Sequence, residues 1–364
     1  MVTAYTAKIK VISDGKPTVI MSNPYSRHNY FAWPTAVRLQ NGKIAVVASG
    51  FRLRHICPFG KTVIAYSEDN GKSYTAPAPV FDTVLDDRDG GIMTFGKSGV
   101  VVTSFNNTVA FQRQYAKSAY DTAYLDTVSP EAEQAALGSS FRISLDGGVT
   151  FGDIFKSPVT SPHGPVELGD GTLLWVGRTF SPHKNGDGRI EAHKINLDGS
   201  TEFVGYIEDI RQGDQLLLSC EPHTIALEDG RLLTHIRVQT TSGEPMLTIY
   251  QSESYDGGKS WTQPHPLLDK LGGAPPHLFR HSSGMLICTY GCREKPYSIK
   301  AMFSLDGGRS WSVDHDLYIN GVSLDLGYPS TVELDDGSLI TVFYAHIAKG
   351  TPAVIMQQRW ADEK

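Results

Sequence analysis

The chain has 364 residues, enough for a large core, and sets 33 Lys and Arg against 39 Asp and Glu for a net charge of −6. That balance leaves no basic footprint for nucleic acid, and no apolar run reaches the roughly 18 residues of a membrane span. With 36 Gly, 20 Pro, 15 Phe, 16 Tyr and 5 Trp, the composition favours turns and packed strands over helices.

The start, MVTAYTAKIKV, lacks the apolar core of a signal peptide. A cytoplasmic location is expected, or a secreted or periplasmic one if a leader has been removed. Residues 6–13, TAKIKVIS, read as a strand. Residues 33–49, WPTAVRLQNGKIAVVAS, are the first copy of a recurring unit: an apolar strand, a Gly turn and a second apolar strand. Further copies stand at 91–105, 163–178, 221–237, 275–291 and 328–344. A second pattern, Ser-x-Asp-x-Gly-x-(Ser/Thr)-aromatic, runs out of phase with the first: SEDNGKSY (67–74), SLDGGVTF (144–151), SYDGGKSW (254–261) and SLDGGRSW (304–311), with a degenerate NLDGSTEF (196–203). In each, the Asp carboxylate caps backbone N–H groups and the Gly takes a positive φ, so each reads as a self-stapled hairpin tip. Repetition at this period signals a radial array.

Six units of about four short strands predict an all-β fold, a six-bladed propeller in a single domain spanning 1–364. Residues 6–13 are expected to supply the outer strand of the last blade and close the ring, and the repeated turns to lie on the outer rim with a structural role. Residues 106–140 contain helix formers and a Ser-Pro-Glu start, and read as an insertion in the second blade with one or two short helices, covering the channel mouth or forming a lobe beside it. SPHKNGDG (181–188) reads as a polar loop or hairpin tip. Cys57, Cys220, Cys288 and Cys292 lack zinc-like spacing and read as reduced thiols; no metal or cofactor is implied.

Polar residues gather at the starts and ends of the inner strands. They are Glu221, Tyr328, Arg237, Arg293, Arg52, the run Asp86-Asp87-Arg88-Asp89, and the histidines His55, His163, His223 and His277. Buried charge is costly unless paired or wet, so this density favours a polar ligand site, with a sugar, especially an acidic one, as the best fit. In the Asp86–Asp89 run, an arginine between carboxyls splits their pKa values, which makes Asp87 or Asp89 a candidate acid or base. A histidine could do the same work near neutrality.

The Asp-box turns and the six-fold unit resemble the sialidase superfamily, the BNR or Asp-box proteins, over nearly the whole chain. The resemblance implies an exo-acting glycoside hydrolase with a terminal, acidic sugar as substrate. Tyr328 in GYPS is similar to the family's nucleophile, Glu221 in CEPHTIALEDG to the residue that deprotonates it, and Arg237 and Arg293 to the second and third arginines of a carboxylate-binding triad. A neutral phenol avoids the repulsion a carboxylate nucleophile would meet at an anomeric carbon bearing a carboxylate. Arg88, Arg52 and the four histidines are further candidate substrate contacts. Two departures stand out. The family's first arginine opens an Arg-Ile-Pro motif where this chain has Ala32-Trp33-Pro34, and its acid/base Asp lies in the loop that here reads FRLRHICPFGK (51–61), without Asp or Glu. Alternatives are a uronate-active polysaccharide lyase and a non-catalytic sugar-binding propeller.

Overall fold

The computed structural model describes residues 3–4, 10–180, 188–267 and 271–363. Apart from a two-stranded hairpin (Arg211–Gln212 with Gln215–Leu216) and the parallel pairing of Thr3–Ala4 with Ser310 and Trp311, its described strands form six successive antiparallel sheets whose inner strands pack side by side in chain order around a central channel, the last against the first. This is the six-bladed propeller expected. The inner strands are Tyr30–Arg38, Arg88–Phe95, the two-residue Val166–Glu167, Leu218–Ala226, Gly273–Arg280 and Gly327–Glu333. The second strands are Ile44–Arg52, Gly99–Phe105, Leu173–Thr179, Leu232–Gln239, Leu286–Cys292 and Leu339–His346. Lys10–Met21 pairs antiparallel with Ala353–Glu363 as the outer strand of the sixth blade, so the two ends of the chain close the ring. Residues 6–9 of the expected closing strand lie outside the described residues, as does most of 181–188.

A blade with two apolar faces must bury both. Six apolar clusters do this, each shared by two neighbouring blades: Phe31, Val46 and Val63 pack with Val342 and Ile355 across the closure, and Leu174, Val176 and Ile190 with Leu232 and Ile236 between the third and fourth blades. Burying one such side chain is worth about 1.5–3 kcal/mol, so the ring is held mainly between blades.

The Asp-box turns bear out the capping reading and add to it. In the first copy the Ser67 hydroxyl donates to Asp69 Oδ1 (2.8 Å) and accepts from Gly71 N–H (2.9 Å), while Asp69 accepts from Ser73 N–H (2.9 Å) and Ser73 Oγ (2.6 Å). The same set recurs around Asp146, Asp256 and Asp306. A glycine carbonyl of the turn also accepts from the preceding blade: Gly71 O from Gln357 Nε2 (2.6 Å), Gly148 O from the Tyr66 hydroxyl (2.5 Å) and Gly308 O from Gln251 Nε2 (2.9 Å). The turns therefore staple blade to blade.

The insertion forms three helices rather than one or two: α1 (Val109–Gln114), α2 (Ala119–Leu125) and α3 (Pro130–Ala136). It packs beside the 51–61 loop, with Arg54 Nη2 on Asp121 Oδ2 (2.5 Å) and Phe59 stacked on Tyr120 at 4.6 Å. The four cysteines are free. Among the described residues no helix is long and apolar enough to cross a membrane.

Candidate active site

Five of the six inner strands break register at the same place. The pairing skips two residues after Ala32, Arg88, Cys220, Gly273 and Gly327, leaving Trp33-Pro34, Asp89-Gly90, Glu221-Pro222, Ala274-Pro275 and Tyr328-Pro329 as bulges. Gly164-Pro165 holds the corresponding place in the third blade. Trp33, Asp89, Glu221 and Tyr328 take φ of 55°, 49°, 50° and 48° there, and Gly164 takes 83°. A left-handed backbone is costly for a side chain with a Cβ, and bulges re-aim side chains. In four blades that device re-aims a side chain: Trp33, Asp89, Glu221 and Tyr328.

Three of those residues meet. The Tyr328 hydroxyl donates to Glu221 Oε1 at 2.6 Å, and Glu221 Oε2 accepts from Arg237 Nη1 at 2.8 Å. Asp89, Glu221 and Arg237 line a cavity of about 300 Å³ together with Arg178, Cys220 and Phe105, near the lower end of the usual range for small-molecule sites. Burial opposes ionisation of Glu221, but Arg237, the Tyr328 hydroxyl and Arg293 outweigh it and hold the carboxyl below its ordinary range. Burial and the Glu221 carboxylate push the Tyr328 phenol well above its ordinary value. The pair is thus a neutral phenol hydrogen-bonded to a carboxylate. Burial, partly countered by Arg88, lifts Asp89 to about 6.

Cations surround the pair. The Arg293 guanidinium carbon lies 5.9 Å from the Tyr328 ring centre. Arg178, which the sequence reading passed over, ends the second strand of its blade just as Arg237 does, and that shared phase was the available signal. Among the described residues, Arg178 Nε and Nη2 and Arg293 Nε are buried without a hydrogen-bond partner. Where an Arg-Ile-Pro motif would supply another arginine, Trp33 is buried instead, with the Arg88 guanidinium 4.3 Å from its ring centre; Arg88 also lies 3.9 Å from carboxylate oxygens of both Asp86 and Asp89.

Other expected site residues are placed elsewhere. Asp87 turns away: its carboxylate accepts from Thr83 N–H (2.6 Å), Thr83 Oγ1 (2.9 Å) and Asn106 Nδ2 (3.2 Å), and burial lifts it to about 7. It pins the second blade to the preceding loop. Arg52 is fully buried, with Nη1 and Nη2 on Asp86 at 2.6 and 2.8 Å, and so is committed to the scaffold. His163, His223 and His277 pack together in the interior, ring centres 4.6–5.1 Å apart, with His223 stacked on His277 and His163 edge-on to both, and none lines the cavity at Glu221. Leu278 N–H donates to His223 Nδ1 (2.8 Å) and Thr331 N–H to His277 Nδ1 (3.4 Å), so both rings are held as Nε2–H tautomers. Burial keeps all three neutral, far below the usual histidine range. They fill the interior rather than contact a sugar in that cavity.

A second constellation borders Trp33. His55, in the 51–61 loop, meets the indole edge-on at 4.8 Å. Asp325, three residues before Tyr328, accepts from the Tyr30 hydroxyl (2.8 Å) and the Tyr344 hydroxyl (3.0 Å), and lies 3.0 Å from His55 Nδ1 and 3.1 Å from His346 Nε2. Tyr30, Asp325, Tyr344 and His346 escaped the sequence reading; Asp325 lies in a loop outside both repeats, and only the fold brings it to His55.

A ring of inner strands, five of them bulged, with a Tyr–Glu–Arg chain in one wall defines a six-bladed propeller with a polar candidate site. The chain belongs to the family described as the BNR repeat-like domain, whose model matches residues 103–341. Among solved structures, a protein of unknown function from Dyadobacter fermentans is 19% identical with a TM-score of 0.74, over 97% of this chain and 99% of that one. The NanB sialidase of Streptococcus pneumoniae is 12% identical with a TM-score of 0.67, over 96% of this chain and 71% of that one. An α-L-arabinofuranosidase of Fusarium graminearum is 12% identical with a TM-score of 0.64, over 96% and 98%. At these identities the likeness is one of fold. No curated protein matches the sequence at a significant level.

Proposed function

We propose that the protein is an exo-acting glycoside hydrolase that removes a terminal acidic sugar, with Tyr328 as nucleophile. The observation that carries this reading is the Tyr328–Glu221–Arg237 chain at 2.6 and 2.8 Å beside buried guanidinium nitrogens of Arg178 and Arg293 that have no partner among the described residues. Unpaired buried donors of this kind call for an anionic ligand, and planar guanidinium groups suit a carboxylate. As the glycosidic bond breaks, the Tyr328 oxygen attacks the anomeric carbon and its proton passes to Glu221, whose position 2.6 Å away needs no rearrangement. Arg237 holds Glu221 ionised beforehand, ready to accept that proton. Asp89, at about 6, is a protonated carboxyl in mildly acidic solution and donates a hydrogen bond to the bound sugar.

The test is a panel of chromogenic glycosides of sialic acids, uronic acids and neutral sugars. One acidic sugar should be released by the wild type, and Tyr328→Phe should lower kcat by on the order of 10³-fold with the fold intact. Release of neutral sugars alone would overturn the acidic assignment. An unsaturated product absorbing in the near ultraviolet would move the reading to a lyase, and binding without turnover to a sugar-binding propeller.

A further inference from the structure

Hydrolysis of a glycoside needs a group that protonates the departing oxygen and later takes a proton from water. Tyr328 and Glu221 are occupied with each other, and the 51–61 loop, where the resembling family carries an aspartate, has no acid. It carries His55, which is about half exposed, with Nδ1 3.0 Å from Asp325 Oδ1. The Tyr30 hydroxyl also lies 3.3 Å from Nδ1, but its hydrogen points to Asp325 Oδ2, so Nδ1 is the protonated nitrogen and Nε2 is left to accept or deliver a proton. His346 places Nδ1 on the Thr351 carbonyl (2.5 Å) and Nε2 on Asp325 (3.1 Å), two acceptors, which makes it an imidazolium. Asp325 is therefore a carboxylate locked by Tyr30, Tyr344 and His346, with His55 as its one partner on the mobile-proton side.

We propose that His55, oriented by Asp325, is the general acid/base of this site. The proposal rests on the glycosidase reading of Tyr328 and Glu221. The position favours His55 over Asp89. Asp89 is buried in the wall beside Glu221, at the level of Tyr328. His55 is about half exposed, open to solvent and to a departing alcohol as Asp89 is not. Trp33 touches both sides, with the Tyr328 ring 6.4 Å and the His55 ring 4.8 Å from the indole. In the first step the imidazolium Nε2–H passes its proton to the glycosidic oxygen while that C–O bond breaks, the Tyr328 oxygen bonds to the anomeric carbon and the phenolic proton goes to Glu221. In the second, neutral Nε2 takes a proton from the attacking water, the carbon–tyrosyl bond breaks and Glu221 returns its proton to Tyr328. One water is consumed and every proton is accounted for.

The charges that face His55 are Asp325, Arg88 and Arg52, with the Tyr30 hydroxyl beside them. Burial lowers its pKa from the usual value, Asp325 pulls it back up and Arg88 lowers it again. The acid form is thus lost as pH rises through a value below about 6.5.

The experiment compares His55→Gln, Asp89→Asn and wild type on two glycosides of one sugar, a nitrophenyl glycoside with a good leaving group and an alkyl glycoside with a poor one, from pH 4 to 8. His55→Gln should lose about 10²–10³-fold on the alkyl glycoside and far less on the nitrophenyl one, and lose the alkaline limb of the profile. Asp325→Asn should move that limb to lower pH, which a merely structural role would not do. Equal loss on both substrates, or the leaving-group signature in Asp89→Asn instead, overturns the proposal while leaving the glycosidase reading standing. A wild type that hydrolyses no glycoside removes both. If His55→Gln fails to fold, nitrogen-15 spectra of the wild-type histidines decide: an Nδ1–H tautomer at His55 supports the assignment and an Nε2–H tautomer ends it.

Discussion

At the residue scale the site is a set of paired protonation states. Tyr328 stays a phenol through burial and the ionised Glu221 beside it, and Glu221 stays ionised because Arg237, the Tyr328 hydroxyl and Arg293 outweigh its burial. Glu221→Gln should therefore abolish proton acceptance while keeping the hydrogen bond, lowering kcat by roughly 10²–10³-fold with little change in KM. Arg178→Ala, by contrast, should raise KM for an acidic substrate about tenfold or more and leave neutral glycosides unaffected, as steady-state kinetics on both would show. Tyr328, Glu221, Arg237 and Arg293 were legible because each sits at a fixed phase of a repeat. Asp87 was misread because adjacent carboxyls in one run look equivalent until the bulge turns Asp89 inward and leaves Asp87 on Thr83 and Asn106. Asp325 was not legible at all, since its partner His55 lies 270 positions away.

At the scale of the element, two devices recur: the Asp-box turn and the inner-strand bulge. The turn carries stability. Asp256→Ala removes acceptors for Ser254 Oγ, Ser260 N–H and Ser260 Oγ, and should cost about 1–2 kcal/mol, read as a lower urea midpoint with unchanged slope. An unchanged midpoint would mean the turn is ornamental to folding. The bulge re-aims Trp33, Asp89, Glu221 and Tyr328, among them the proposed nucleophile and its carboxylate partner. The turns were readable because Asp, Gly and Ser each do a distinct local job. The bulges were only half visible, as an X-Pro or X-Gly pair before five apolar strands, because a two-residue slip in register depends on the partner strand. The helical insertion was visible as an interruption; that it clamps the 51–61 loop through Arg54 and Asp121 was not, since the clamp is a tertiary contact.

For the whole molecule, the interior holds neutral histidines, and this sets how stability responds to pH. His163, His223 and His277 sit far below the usual histidine range and His235 at about 3, all through burial. The unfolded chain protonates them below about pH 6.5, so acidification favours unfolding. Asp87 and Asp89 act in the opposite sense, because their raised values let the folded state hold protons the unfolded state has released. The four histidines outnumber the two carboxyls, so stability should fall as pH drops from 7 toward 5. Urea unfolding at pH 7 and pH 5 checks it; a midpoint that rises toward pH 5 would contradict the burial of the histidine stack. The central claim, that Tyr328 is a nucleophile, is tested most directly by trapping. The protein is incubated with a fluorinated glycosyl fluoride of the sugar it hydrolyses, and the adduct is located by peptide mass spectrometry. A glycosyl group on Tyr328, absent in Tyr328→Phe, is the predicted result. A group on Glu221 or Asp89, or hydrolysis that survives in Tyr328→Phe, would contradict it.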